Sequence, residues 1–163
     1  MQLNLSNAHF RTLVPSWSNL TYFELCCEEP SYIFEGNLPR ATLDVLGIFA
    51  AECPRLQTLS LELDATYAYS ADALEKWPVF RCLENLSLNN SRIRQPNVSD
   101  VALLLCRLAR ESGYRLCSVQ LYEEDDDDME DIPGEKERVA AWKDVQAIFD
   151  SVGKLRKLEA GKR

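Results

Sequence analysis

The feature that most constrains the fold of this chain is the pattern L-x-x-L-x-L, which occurs four times. The copies read LTYFEL, LQTLSL, LENLSL and LCSVQL, and they begin at Leu20, Leu56, Leu83 and Leu116. Partial copies lie near both ends, at Leu3 and Leu5 and at Leu155 and Leu158. A pattern that recurs every 27 to 36 residues is typical of proteins that stack one structural unit several times. We therefore expect residues 1–163 to form a single domain, with four full repeats and partial repeats at both ends.

Each copy predicts a short β-strand that buries one face. The apolar residues alternate, and successive side chains of a strand point to opposite faces. Between the copies, apolar residues recur with the period of a helix in the segments 43–53, 101–108 and 139–152, and the segment 70–77 predicts a shorter helix. Gly113 and Gly153 are expected to end the second and third of these helices. The chain thus alternates between parallel strands and helices.

Two closures of such a chain are possible, a doubly wound sheet and an open horseshoe. A doubly wound sheet needs unlike strands that are apolar throughout in its centre. Here the residues between the leucines are polar at the same positions of each copy. The sequence therefore predicts an α/β solenoid of horseshoe shape, with a parallel sheet on the concave side and helices on the convex side.

Two segments, CPRLQTLSL at 53–61 and CLENLSLNNSRI at 82–93, resemble leucine-rich repeats of the long, irregular, helix-containing type found in F-box proteins, especially fungal ones. The resemblance implies a leucine-rich-repeat solenoid and a role in substrate recognition by an F-box-type ubiquitin ligase. The segment LPRATLDVL at 38–46 begins like an F-box, but it runs directly into a repeat strand. We interpret it as a repeat helix and expect the F-box to be missing from this chain.

The chain departs from that family at one informative position. Standard repeats carry Asn or Cys three residues after the last strand leucine, whereas this chain has Glu28, Asp64, Ser91 and Glu124. A ladder of asparagine side chains is therefore not expected here.

The residues between the strand leucines are expected to form the concave face, in columns that run across the repeats. The predicted columns are Tyr22, Thr58, Asn85 and Ser118, then Glu24, Ser60, Ser87 and Gln120, then Cys26, Glu62, Asn89 and Tyr122. Small polar residues flanked by tyrosines suit protein recognition, because tyrosine contributes a large contact area. We expect a protein partner to bind this face, the alternative being that these are ordinary solvated strand positions.

A run of acidic residues follows the fourth copy and predicts a flexible loop at 123–134 on the rim. The acids are Glu123, Glu124, Asp125, Asp126, Asp127, Asp128, Glu130 and Asp131, and they account for the net charge of −8. The rest of the chain is balanced in charge, which argues against a nucleic-acid partner. An alternative function is that this loop binds or chaperones basic proteins such as histones. A calcium loop is not expected, because Asp131 stands where such a loop needs glycine.

Little in the sequence points to catalysis, a cofactor or a membrane. The chain has one histidine, His9, and six cysteines without metal-ligand spacing, and it lacks a glycine-rich phosphate loop. No enzyme activity, metal, cofactor or small-molecule substrate is therefore expected. Because no apolar stretch approaches the roughly 20 residues of a membrane helix and no signal peptide is recognised, we expect an intracellular protein, cytoplasmic or nuclear.

Overall fold

The computed structural model describes residues 5–25, 41–67, 69, 76–88, 91–109, 115–117 and 134–161. Within these ranges the chain is an α/β protein, as predicted. The strands are β1 (Tyr22–Leu25), β2 (Thr58–Leu61), β3 (Asn85–Ser87) and β4 (Arg115–Cys117). The helices are α1 (Asn7–Leu13), α2 (Asp44–Glu52), α3 (Val98–Leu108) and α4 (Glu135–Ala160), with 3-10 turns at Val14–Trp17 and Gln95–Asn97.

The described strands form one parallel sheet in the order β1-β2-β3-β4, which is also their order in the chain. Leu20, Leu56 and Leu83 lie two residues before β1, β2 and β3, so the first three copies of the pattern open equivalent strands. The register follows the pattern as well, because Phe23 pairs with Leu59 and Leu59 pairs with Leu86. The predicted parallel arrangement of the first three copies is confirmed.

The fourth strand is shifted from its predicted register. Leu116 was expected beside Leu83, but it pairs with Leu86, which places Arg115 beside Asn85 and Cys117 beside Ser87. The copy LCSVQL allows this shift because Leu116 and Val119 are both apolar and both suit a buried position. A shift of three residues exchanges the two faces of a strand. Ser118 is therefore not the neighbour of Asn85, and the prediction for that position is wrong.

One continuous hydrophobic cluster contains buried side chains from the strands and from all four helices. Leu59 and Leu86 contribute from the middle of the sheet, Phe49 from α2, Leu104 from α3 and Trp142 from α4. Helices α2 and α3 occupy the segments where apolar residues recur with helical period, and this confirms both predictions. The predicted helix at 70–77 lies largely outside the described residues.

The two ends of the chain differ from prediction. Leu3 lies outside the described residues, and the segment after Leu5 forms α1, a helix that the alternation of leucines did not predict. At the other end α4 continues through Gly153 to Ala160, so the predicted partial repeat at Leu155 and Leu158 is wrong. A glycine inside a helix costs only about 1 kcal/mol relative to alanine, and the residues after Gly153 favour helix. None of the described helices is both long and apolar enough to cross a membrane.

Candidate functional site

The face of the sheet that points away from the leucines carries the predicted binding residues. We call this surface the polar face, and it consists of Tyr22 and Glu24 on β1, Thr58 and Ser60 on β2, and Asn85 and Ser87 on β3. Tyr22 pairs with Thr58 and Thr58 with Asn85, while Glu24 pairs with Ser60 and Ser60 with Ser87. The structure therefore brings together the first two predicted columns across three strands.

Side chains of the polar face differ in their access to solvent. Tyr22 is 57% exposed, and Glu24 is exposed as well. Thr58, Asn85 and Ser87 are half-buried. Ser60 is only 6% exposed, which the alternation of the strand did not indicate. Its small side chain lies between Glu24 on one strand and Ser87 on the other, so it forms part of the floor of the polar face.

The third predicted column is described at one position only. Glu62 directly follows β2 and is half-buried. Cys26 and Asn89 lie outside the described residues, as do Ser118, Gln120 and Tyr122. On β4 the register places Arg115 and Cys117 at the positions that continue the first two columns.

Tyr22 and Glu24 act as a pair at the β1 end of the polar face. They are two residues apart on one strand, so their side chains project from the same face. The Tyr22 hydroxyl donates a hydrogen bond to the Glu24 carboxylate. This bond fixes the direction of both side chains and leaves much of the tyrosine ring in contact with solvent. The pair offers an aromatic surface next to an acceptor of hydrogen bonds.

The opposite face of the sheet provides a rigid support for the polar face. Leu59 and Leu86 are fully buried, and Phe23 lies beside Leu59 in the same row. The Phe23 ring stacks on Trp17 at 5.4 Å between centroids and contacts Phe49 at 5.1 Å. Close packing of this kind resists displacement of the strands. The spacing of the polar side chains is therefore set by the core.

A hydrogen-bond relay runs beyond the carboxyl ends of β2 and β3, and Ser91 is its centre. Ser91 is fully buried, and its hydroxyl accepts a bond from the Leu63 backbone N–H at 2.8 Å and donates to the Leu61 carbonyl at 3.5 Å. Ser91 therefore bonds the backbone of the preceding repeat, although it is not the asparagine or cysteine of standard repeats. Asp64, at the equivalent position, instead accepts bonds from Thr66 within its own turn. Glu28 and Glu124 lie outside the described residues.

Isolated backbone bridges extend this relay across three repeats. Thr42 pairs with Asp64, and Asp64 pairs with Arg92, both in parallel orientation. At the α1 end, the Asn7 side chain accepts a bond from the Thr42 N–H at 2.8 Å and donates to the Thr42 hydroxyl at 2.8 Å. Asn7 thus provides an acceptor for a backbone N–H that a further strand would otherwise pair. No motif in the sequence indicated this role.

Helix α4 is attached to the same relay. The indole N–H of Trp142 donates to the Ser91 carbonyl at 2.7 Å, and Trp142 is fully buried. Further along the helix, Arg156 donates to the Cys106 carbonyl at 2.8 Å. The helix begins just after Gly134, whose φ of 82° is a left-handed conformation that favours glycine. The predicted acidic residues, Glu123 to Asp131, lie outside the described residues, between Cys117 of β4 and Gly134.

Among the described residues, histidine and cysteine side chains do not converge on the polar face. The Nδ1 atom of His9 accepts a bond from the Ser6 backbone N–H at 3.0 Å, at the start of α1. Burial raises the pKa of the Cys53 and Cys106 thiols, which makes both poor nucleophiles. Among the residues that the structure describes, no three His, Cys, Asp or Glu side chains are grouped to hold a metal ion.

The geometry of this site is therefore that of a rigid, mostly neutral polar surface with an aromatic and acidic edge. Such a surface offers hydrogen-bonding groups and contact area. Compared with protein-family models, curated proteins and solved structures, the chain has no significant match.

Proposed function

We propose that the protein is a non-enzymatic protein-interaction module that binds its partner through the polar face. One observation carries the proposal. Three parallel strands hold polar side chains in register on one face, while Leu59, Leu61 and Leu86 of β2 and β3 are buried on the other. A partner that lies across the strands would meet side chains from all three repeats at once.

The packing of this surface favours binding. Tyr22 at its edge presents a large, partly exposed ring, and tyrosine is enriched among the residues that contribute most to binding energy. Strands β2 and β3 are backed by buried leucines, so little of their conformational entropy is lost when a partner docks. The short side chains of Thr58, Ser60 and Ser87 leave room for side chains of the partner.

The resemblance to leucine-rich repeats extends the proposal to shape and context. In a solenoid of horseshoe form, the polar face would be the concave surface, where repeat proteins commonly bind their partners. The same resemblance favours substrate recognition in an F-box-type ubiquitin ligase as the context. If another protein supplies the F-box, this chain alone is not expected to bind ubiquitin-ligase subunits. These subunits should co-purify with the substrate.

Affinity capture from a native lysate tests the proposal. The chain serves as bait and is compared with Asn85→Trp, which places a large ring in the middle of the polar face. The matched control is Ala147→Trp, which adds the same ring at an exposed position of α4. We expect Asn85→Trp to lose a specific partner that the wild type and the control retain, with unchanged circular dichroism. If both variants capture the same proteins as the wild type, the polar face is not the binding site.

A further inference from the structure

The charges on the polar face are distributed unevenly. Glu24 is its one acidic residue, Glu62 lies just beyond it after β2, and the other residues that define the polar face are neutral. The register places Arg115 three strands away from Tyr22, which corresponds to roughly 14 Å at the usual spacing of strands. Among the described residues, the charged side chains on the β1 and β2 side are therefore acidic, and the neutral position on β3 separates them from that arginine position.

Ser60 is placed to lie beneath a bound cation. It pairs with Glu24 across the sheet and precedes Glu62 by two residues on its own strand. These separations are about 4.8 Å between strands and about 6.6 Å along a strand. A guanidinium or ammonium group above the small Ser60 side chain would be within reach of both carboxylates. Hydrogen bonds from a guanidinium to a carboxylate are among the strong ones, and its five N–H donors allow contacts with more than one acceptor.

Tyr22 adds a second feature that favours a cation. Its ring is 57% exposed, and its hydroxyl is bonded to the Glu24 carboxylate. A cation within about 6 Å of an aromatic face gains roughly 0.5 to 1 kcal/mol at an exposed site. The ring and the carboxylate lie side by side on β1, so one arginine side chain would contact both.

We propose that the partner of the polar face is a basic protein segment, and that one of its arginine or lysine side chains docks over Ser60 between Glu24 and Glu62, beside Tyr22. This inference rests on the proposed function and names the chemistry of the partner. The acidic run from 123 to 131 begins six residues after β4 and adds long-range attraction for the same basic segment. Its role here is to steer the segment, whereas the contacts that hold it are on the polar face.

Fluorescence anisotropy with the full chain tests the inference. The probe is a labelled nine-residue peptide in which arginine alternates with serine, and its counterpart carries citrulline, which keeps the shape of arginine without the charge. We expect the arginine peptide to bind at least tenfold more tightly than the citrulline peptide. Absence of binding by the arginine peptide, or equal affinity for the two peptides, overturns the inference.

Paired variants locate the contact. Glu24→Gln with Glu62→Gln is expected to weaken binding of the arginine peptide about fivefold, as two solvent-accessible ion pairs imply. The control, Glu137→Gln with Glu159→Gln, removes the same two charges from exposed positions of α4 and is expected to change affinity less than twofold. Equal losses in the two double variants would show that net charge alone attracts the peptide, and the inference would fail.

Two further measurements separate this inference from the proposed function. Deletion of 123–131 is expected to slow association while the effect of the two glutamates persists. If the deletion alone abolishes binding and the glutamates have no effect, the acidic run is the binding site and the inference fails.

If Asn85→Trp blocks peptide binding but the glutamate variants do not, the polar face binds without these charges, so the inference fails and the proposed function stands. If Asn85→Trp leaves both peptide binding and lysate capture intact, both proposals fail.

Discussion

The two ends of the hydrophobic cluster that packs against the sheet are covered in different ways. At the β1 end, α1 and the following 3-10 turn place aromatic rings against the sheet, with Phe10 at 5.8 Å from Phe49 and Trp17 at 5.4 Å from Phe23. At the other end, the long helix α4 packs on α3 and buries Trp142 in the same cluster, and it also makes polar bonds at separate points, from Trp142 to Ser91 and from Arg156 to Cys106. Aromatic packing is distributed over many atoms, whereas each hydrogen bond acts at one position. The two ends should therefore respond differently to single substitutions.

We expect the largest loss of stability from Phe10→Ala at the α1 end. Phe10 is buried and contacts both Phe23 and Phe49, and removal of a buried phenylalanine side chain costs about 3 to 5 kcal/mol. The free energy of unfolding in urea, followed by circular dichroism, measures this loss. Leu13→Ala is the control, since Leu13 is exposed on the same helix. A loss below about 1 kcal/mol for Phe10→Ala would show that α1 does not close this end of the core.

A smaller loss is expected from Trp142→Phe at the α4 end. Phenylalanine keeps most of the buried ring but lacks the indole N–H that binds the Ser91 carbonyl. A buried carbonyl that loses its donor costs about 1 to 3 kcal/mol. Urea unfolding gives the magnitude, and hydrogen exchange of the α4 amides shows whether the loss is local. Lys143→Ala, at the exposed neighbouring position, should leave both readouts unchanged. Exchange that accelerates equally in α1 and α4 would contradict separate attachment of the two ends.

Ser91→Ala tests the relay that joins α4 to the sheet. The substitution leaves the buried Leu63 N–H without its acceptor, so we expect a loss of about 1 to 2 kcal/mol in the free energy of unfolding. Ser99→Ala is the matched control because Ser99 is exposed on α3. The double variant with Trp142→Phe should lose less than the sum of the single losses, since both substitutions weaken one connection. Strict additivity would mean that Ser91 bonds the sheet and α4 independently.

The sequence was informative where one residue type decides the structure. Leu59 and Leu86 predicted both the strands and their register, because a period of two leaves each leucine one possible face. At β4 the same reasoning failed, since Leu116 and Val119 are equally apolar and permit two registers. Alternation also gives only the face of a residue. It could not indicate that Ser60 is buried, because that depends on the neighbours across the sheet.

Other features depend on contacts between distant parts of the chain. Ser91 differs from the asparagine or cysteine of standard repeats, and only the position of the Leu63 N–H shows that serine can take that role. Asn7 likewise acquires its role from Thr42, which is 35 residues away. For the candidate site, the first two columns across β1, β2 and β3 were predictable. The pairing of Tyr22 with Glu24 was not, because it depends on side-chain conformation rather than on spacing.

The smallest effect is expected from Leu155→Gln with Leu158→Gln, near the end of α4. In the structure these side chains are 60% and 64% exposed, so their replacement removes little buried apolar area. Glutamine also has a helix propensity close to that of leucine. The free energy of unfolding should therefore change by less than about 0.5 kcal/mol, and the helical signal should stay the same. A partial repeat at this position would instead bury both leucines, and the double variant would then lose several kcal/mol. Urea unfolding of this one protein therefore decides between a strand that continues the sheet and a helix that extends beyond it.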